Sequence, residues 1–173
     1  MKTARLTLRN LDITDAPRIA FLAGAWDVAS MTGRVPFPYS ADAAEHWITG
    51  LADGEMVYGI EYTGELIGIC GYTPEGGGTA QLGYWIGKSY WGHGFATEAV
   101  RALINYGFTK GGIKHFGGRH FDGNAASARV IQKLGFRACG TGMGWCEARR
   151  QEFAVVDYEM RRPWTTALKA LAS

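Results

Sequence analysis

Gln81-Leu82-Gly83-Tyr84-Trp85-Ile86, a short connection, and then Tyr90-Trp91-Gly92-His93-Gly94-Phe95-Ala96-Thr97-Glu98-Ala99 is the stretch that decides the fold. Residues 80–86 read as a strand, 87–94 as a loop and 95–108 as a helix whose buried stripe is Ala96, Ala99, Val100 and Leu103. Glycines at 92 and 94 let the chain turn sharply and leave its N–H groups unshielded by Cβ atoms. The helix start adds orphan N–H donors and the positive end of a dipole, a combination that suits a phosphate or diphosphate. A strand-Gly-x-Gly-helix turn also occurs as a plain structural turn, so these residues alone leave both readings open.

Two familiar phosphate loops do not fit. Gly87-Lys88-Ser89 has the ending of a P-loop, but Leu82 stands where its first glycine belongs. A dinucleotide fingerprint needs a third glycine where Thr97 stands, and an acidic residue at the end of the next strand, which residues 119–121 do not provide.

Outward from this unit, residues 5–9 alternate as an opening strand, and Thr14 or Asp15 is expected to cap a helix with Pro17 in its first turn. Ile19, Leu22, Ala23 and Trp26 fall on one face of that helix. Ser40 is a second cap candidate, followed by Ala44, Trp47, Ile48 and Leu51 at helical spacing. Residues 56–62 and 66–72 read as a hairpin across Thr63-Gly64-Glu65, and 75–79 as a glycine-rich turn. A strand at 115–121, a helix at 125–134 and closing strands at 137–145 and 153–160 complete a mixed α/β order.

With 173 residues, 47% of them hydrophobic and 20% charged, the chain suits one globular domain over residues 1–173. A net charge of +2, with the cations dispersed, gives no reason to expect nucleic acid. The three cysteines lack disulfide or zinc spacing, Cys70 reads as a core residue, and the four histidines show no ligand pattern, so no metal is expected. No apolar run has the ~20 residues of a membrane span, and a soluble cytoplasmic protein is the expectation.

The two quoted segments resemble the acetyl-CoA motif of the GNAT acetyltransferase superfamily. Asn124-Ala125-Ala126-Ser127-Ala128-Arg129-Val130-Ile131-Gln132-Lys133-Leu134-Gly135-Phe136 is similar to that superfamily's following motif. Arg5-Leu6-Thr7-Leu8-Arg9, Pro36-Phe37-Pro38 and Ile67-Gly68 resemble its RimJ/RimL-like branch, and the likeness covers roughly residues 3–164. It implies a single-domain α/β fold with a mostly antiparallel sheet of about six to seven strands. Helices cover both faces, and the strands splay at the cofactor site. The implied function is acetyl transfer from acetyl-CoA to a primary amine, either a protein N-terminus or a small amine, by direct attack in a ternary complex. A homodimer is implied at family level only. The rival reading is a non-catalytic CoA-binding module.

Carried over residue by residue, Trp91, Gly92, His93, Gly94, Phe95, Ala96 and Thr97 hold the CoA diphosphate, and Trp85, Ile86 and Gly87 pair with the pantetheine arm. Asn124 hydrogen-bonds the pantetheine, Ser127 belongs to the cofactor site or is a helix-start serine bonding the backbone or a phosphate, and Arg129 and Lys133 reach phosphates or are solvated helix charges. The family's tyrosine acid falls at Ile131 and its glutamate base near Gln81, so this chain departs from both. Ser127 becomes the acid candidate and His120, beside Asp122, a base candidate; His93 and Glu152 have less support. Trp26, Phe37, Tyr39, Trp47, Trp85 and Trp145 are mostly expected in the core, with Phe37 and Tyr39 the better candidates for acceptor contacts.

Overall fold

The structure, a computed structural model, describes residues 1–52 and 54–162. The end of the expected domain and of the likeness, residues 163–173, lies outside the described residues. Among the described residues seven strands form one sheet, in the order β1-β2-β3-β4-β5-β7-β6. They are β1 (Leu6–Arg9), β2 (Met56–Tyr62), β3 (Glu65–Gly76), β4 (Thr79–Ile86), β5 (His115–Phe121), β6 (Arg137–Cys146) and β7 (Gln151–Arg161). The helices are α1 (Ala16–Ala23), α2 (Trp26–Ala29), α3 (Ala41–Thr49), α4 (Phe95–Thr109) and α5 (Ala125–Lys133).

Both faces of the sheet are covered, because its strands bury apolar residues on both sides. Cys70 and Tyr72 of β3, Leu82 of β4 and Phe116 of β5 pack with Val100, Leu103 and Phe108 of α4 and Ile131 of α5. Ile69 of β3 faces the other way, where it joins Ile19 of α1 and Ala44 of α3. Full burial pushes the Cys70 thiol up to about 12 and leaves it an inert core group.

The feature that positions the site is a change of partners along β4. On one side β4 pairs antiparallel with β3 from Thr79 opposite Gly76 to Ile86 opposite Gly68. On the other it runs parallel to β5 for only three positions, Thr79, Ala80 and Gln81 opposite His115, Phe116 and Gly117. Beyond them β5 continues along β7 as far as Phe121 opposite Val155. A gap therefore opens between β4 and β5, as the family resemblance implies.

Several local expectations are corrected. The first cap is Asp12, which closes a capping box around a 3-10 turn, Ile13–Asp15, before α1 begins. Asp15 is the N-cap residue of α1, with Pro17 in the first turn as expected, but its carboxylate makes no cap bond to that helix. Arg9 donates to its two oxygens at 2.7 and 2.8 Å, which holds the carboxyl below its ordinary value. Trp26 leaves the face of Ile19 and Leu22, because α1 stops at Gly24 and Trp26 opens α2. Strand β3 runs on through Thr73 and Pro74 to Gly76, with its register shift lying between Pro74 and Gly76, where a proline is tolerated. The turn into β4 shrinks to Gly77 and Gly78, which with Gly76 all take positive φ.

Candidate active site

The loop after β4 is held at both ends. The Gly87 N–H donates to Ile67 O at 2.9 Å, which keeps the end of β4 on β3. The Trp91 indole N–H reaches back to Ile86 O at 2.6 Å, so this side chain pins the loop whose backbone it belongs to. Gly92 and Gly94 sit at φ +82° and +78°, and Gly94 is the N-cap of α4 without a side-chain cap. A Cβ on Gly92 meets nothing within 4 Å, and one on Gly94 only Arg5 Nη2 at 3.6 Å. The glycines are thus needed for conformation rather than for room within the protein.

The consequence is a run of bare main-chain donors. Glu98 N donates to Gly94 O, but among the described residues none of the six N–H groups from Gly92 to Thr97 has a protein acceptor. Six consecutive unmet amides leading into and through the first turn of a fifteen-residue helix fit an oxyanion such as a diphosphate. Arg129 and Lys133 of α5 line the same cleft, and among the described residues neither has an ion-pair partner. Arg5, absent from the sequence-based site, lies below the turn, with its guanidinium 2.7 Å from Glu98 and 4.7 Å from the centre of the Phe95 ring. His93 is exposed, and its ring stacks on Phe95 with 5.5 Å between centres.

Beside the turn, the open edge of β4 carries a second set of unmet groups. Strand alternation directs the N–H and C=O of Gly83 and Trp85 to β3, as the Gly87 bond requires. The N–H groups of Tyr84 and Ile86 consequently face the gap, with no strand beside them. Trp85 and Ile86 line the cleft with Tyr84.

The opposite rim is the start of α5. Asn124 caps it, accepting from Ser127 N at 3.0 Å, so its oxygen is engaged and its NH2 remains available. Asp122 is not that cap; it accepts from Gly123 N. Ser127 Oγ lies 2.8 Å from Tyr84 Oη. Sequence reasoning missed Tyr84, because its partner is 43 residues away and nothing local marks the pair. Ile131, at the family's tyrosine position, is 1% exposed within the core.

His120 lines the cleft, but both ring nitrogens already have partners. Nδ1 donates to the Phe121 carbonyl at 2.8 Å, which leaves Nε2 to accept from the Tyr158 hydroxyl at 3.1 Å in the neutral ring. Taking a proton from an amine at Nε2 would mean breaking that bond. Direct proton abstraction by His120, one of the base candidates, carries that cost.

The aromatic expectation holds in part: Tyr39, Trp47 and Trp85 pack against the core cluster of Ile19, Ala44 and Ile69, while the other three do not. Trp26, Phe37 and Trp145 are 50%, 42% and 51% exposed, and Tyr39, Trp47 and Trp85 are half-buried. Five of the six line an open cleft of about 1470 Å³ that continues through the gap to the α1–α3 side of the sheet. Phe37 lies outside that lining, packed edge-on against Trp26 at 5.0 Å. Burial raises the Tyr39 phenol. Among the described residues no three His, Cys, Asp or Glu side chains are placed to hold a metal, and no helix is long and apolar enough to cross a membrane.

Known proteins share this plan. Residues 5–137 match the acetyltransferase (GNAT) domain family. An uncharacterized N-acetyltransferase p20 from Bacillus licheniformis is 30% identical over 80% of this chain and 82% of its own length. A putative ribosomal N-acetyltransferase, YdaF, from Bacillus subtilis is 26% identical over 92% of this chain and 93% of its own. The fold is also that of Mycobacterium smegmatis RimJ, solved in complex with CoA-disulfide. The two superpose with a TM-score of 0.82 at 20% identity, covering 96% of this chain and 88% of RimJ.

Proposed function

The chain belongs to the GNAT acetyltransferase family and is an N-acetyltransferase, and on that premise we propose that it acetylates a primary amine from acetyl-CoA by direct attack within one cleft. The observation that carries this reading is the run of unmet N–H groups from Gly92 to Thr97 beside the unpaired edge of β4. When bound, acetyl-CoA supplies an activated carbonyl and a thiol leaving group.

Each wall of the cleft has a separate task. The bare amides hold the diphosphate, and Arg129 and Lys133 add positive charge beside it. The unpaired N–H groups of Tyr84 and Ile86 donate to the acyl-pantetheine arm, which lies along β4 as a strand, and stabilise negative charge developing on the acetyl oxygen, as an oxyanion hole does. The Asn124 NH2 donates to the arm. Ser127 is the hydroxyl donor placed for the sulfur.

With both His120 nitrogens engaged, no side-chain base is assigned. Holding both reactants in one cleft supplies much of the acceleration, and the amine loses its proton to solvent. The half-exposed aromatic wall of Tyr39, Trp85 and Trp145 suits an acceptor that flanks its amine with apolar groups. A protein N-terminus is favoured by the name of the YdaF relative. A small amine is the other acceptor class, and the cytoplasm, where acetyl-CoA is available, is the compartment we propose.

Thiol release on mixing the protein with acetyl-CoA and a panel of peptides and small amines tests the proposal. Turnover with one class names the acceptor. Tight CoA binding with no turnover across the panel would leave only the binding module.

A further inference from the structure

We propose that Tyr84 is a positioning residue: its hydroxyl donates to Ser127 Oγ and so turns the Ser127 proton toward the sulfur of a coenzyme A held on the Gly92–Thr97 amides. This rests on the reading of the cleft as an acetyl-CoA site, and adds the group that makes Ser127 a donor.

The contact itself, 2.8 Å between two hydroxyls, does not say which one gives the proton. The surroundings do. A phenol is a stronger acid than an aliphatic alcohol and so the better donor of the two. The Tyr84 proton has one alternative, the Ser127 carbonyl at 3.4 Å, which belongs to the same residue. Burial pushes the Tyr84 phenol up to about 12, against a smaller opposing pull from Ser127. The hydroxyl therefore keeps its proton at neutral pH and remains a donor.

Ser127 is fixed from the other side as well, because its backbone N–H is tied to the Asn124 cap. With Oγ accepting from Tyr84, the Ser127 proton has no acceptor among the described residues. It is left at the rim of a cleft that both residues line.

The placement follows from topology. Strand alternation puts Tyr84 on the face of β4 that α5 covers, and the loss of β5 beyond Gln81 lets that side chain reach the start of the helix. Ser127 lies one turn before Ile131 on α5, and Ile131, which stands at the family's tyrosine position, is buried in the core. Neither hydroxyl changes its protonation in this role. The pair presents a donor and so favours the thiolate form of a thiol in its reach.

The test reads the thiol of bound CoA directly, by ultraviolet absorbance of the thiolate against pH, with desulfo-CoA as the blank. Wild type, Y84F, S127A and the double variant are compared, each checked for unchanged melting temperature and for CoA affinity at about pH 6, where the thiol is protonated free and bound and the affinities should agree. Y84F removes one oxygen and keeps the ring, so packing is retained. In wild type the bound thiol titrates below the free one, and both single variants move it back up, by about one pH unit for one lost hydrogen bond to a charged group. The double variant moves it no further than S127A does, because Tyr84 acts only through Ser127, and S127T restores the wild-type value.

A shift in S127A with none in Y84F overturns the positioning role and leaves Ser127 in place. No shift in either variant removes Ser127 from the sulfur site, and the proposal with it. Failure of wild type to bind CoA would instead overturn the reading of the cleft on which both stand.

Discussion

The two walls of the cleft are built in opposite ways. The cofactor wall is nearly one continuous piece of chain, from the open edge of β4 at Leu82 through the pinned loop to the first turn of α4. Its donors are main-chain N–H groups. The wall proposed for the acceptor gathers Trp26 from α2, Tyr39 from a loop, Trp47 from α3, Trp85 from β4 and Trp145 from β6, and what it presents is side chains. A wall made of backbone depends on conformation, so a few glycines fix it and most side chains on it are replaceable. A wall of side chains depends on which aromatics happen to converge, and each can be changed without disturbing the sheet. Acceptor choice can therefore drift while cofactor binding stays fixed.

The largest effect expected from this contrast is at Gly94. A Cβ there has room, meeting nothing nearer than Arg5 Nη2 at 3.6 Å, but a valine would be forced into a left-handed conformation at φ +78°. The turn should relax, and the amides should lose their common aim at the diphosphate. Losing two charge-assisted bonds predicts a rise in CoA dissociation constant of about a hundredfold or more, measured by calorimetry. Circular dichroism should still show the native fold. Unchanged affinity would break the contrast, because the backbone would then not be the binding element.

On the other wall, Trp145→Ala and Tyr39→Ala should raise the acceptor KM about five- to tenfold while CoA affinity stays at the wild-type value. Phe37→Ala should do less, because Phe37 lies behind Trp26 rather than in the lining. Steady-state kinetics with a saturating donor separates these. A loss of CoA affinity in Trp145→Ala would show that the walls are coupled.

The same difference decided what could be read from the sequence. Strand β5 was expected at 115–121 and is there, and α4 begins at Phe95 and ends one residue later than expected. These segments have one clear periodicity and glycine punctuation. Strands β6 and β7 run one to two residues past the expected ends, since β6 is an edge strand exposed along most of its length and alternation marks its limits poorly. Trp26, Phe37 and Trp145 depart from the core expectation for a physical reason: a side chain facing an apolar cleft has the same spacing as one facing a core. Trp47 and Trp85 satisfy both patterns. Tyr84 lies within the motif, but its role depends on α5 lying over the end of β4, and no local signal encodes that contact.

The smallest expected effect concerns the part of the cofactor wall that is made of side chains. Arg129 and Lys133 lie one turn apart on α5, line the cleft and have no ion-pair partner among the described residues. Charges near solvent are screened, so each should contribute less than about 1 kcal/mol to CoA binding. Arg129→Ala or Lys133→Ala should then weaken CoA about two- to fivefold at low salt. The difference should fade as salt is raised, because the Debye length shrinks to ~8 Å at physiological ionic strength. Acetyl-pantetheine, which lacks the diphosphate, provides the control, and its affinity should be the same in both variants and in wild type. If CoA affinity at low salt is indifferent to both substitutions, the two cations are solvated helix charges, and the diphosphate is held by main chain alone.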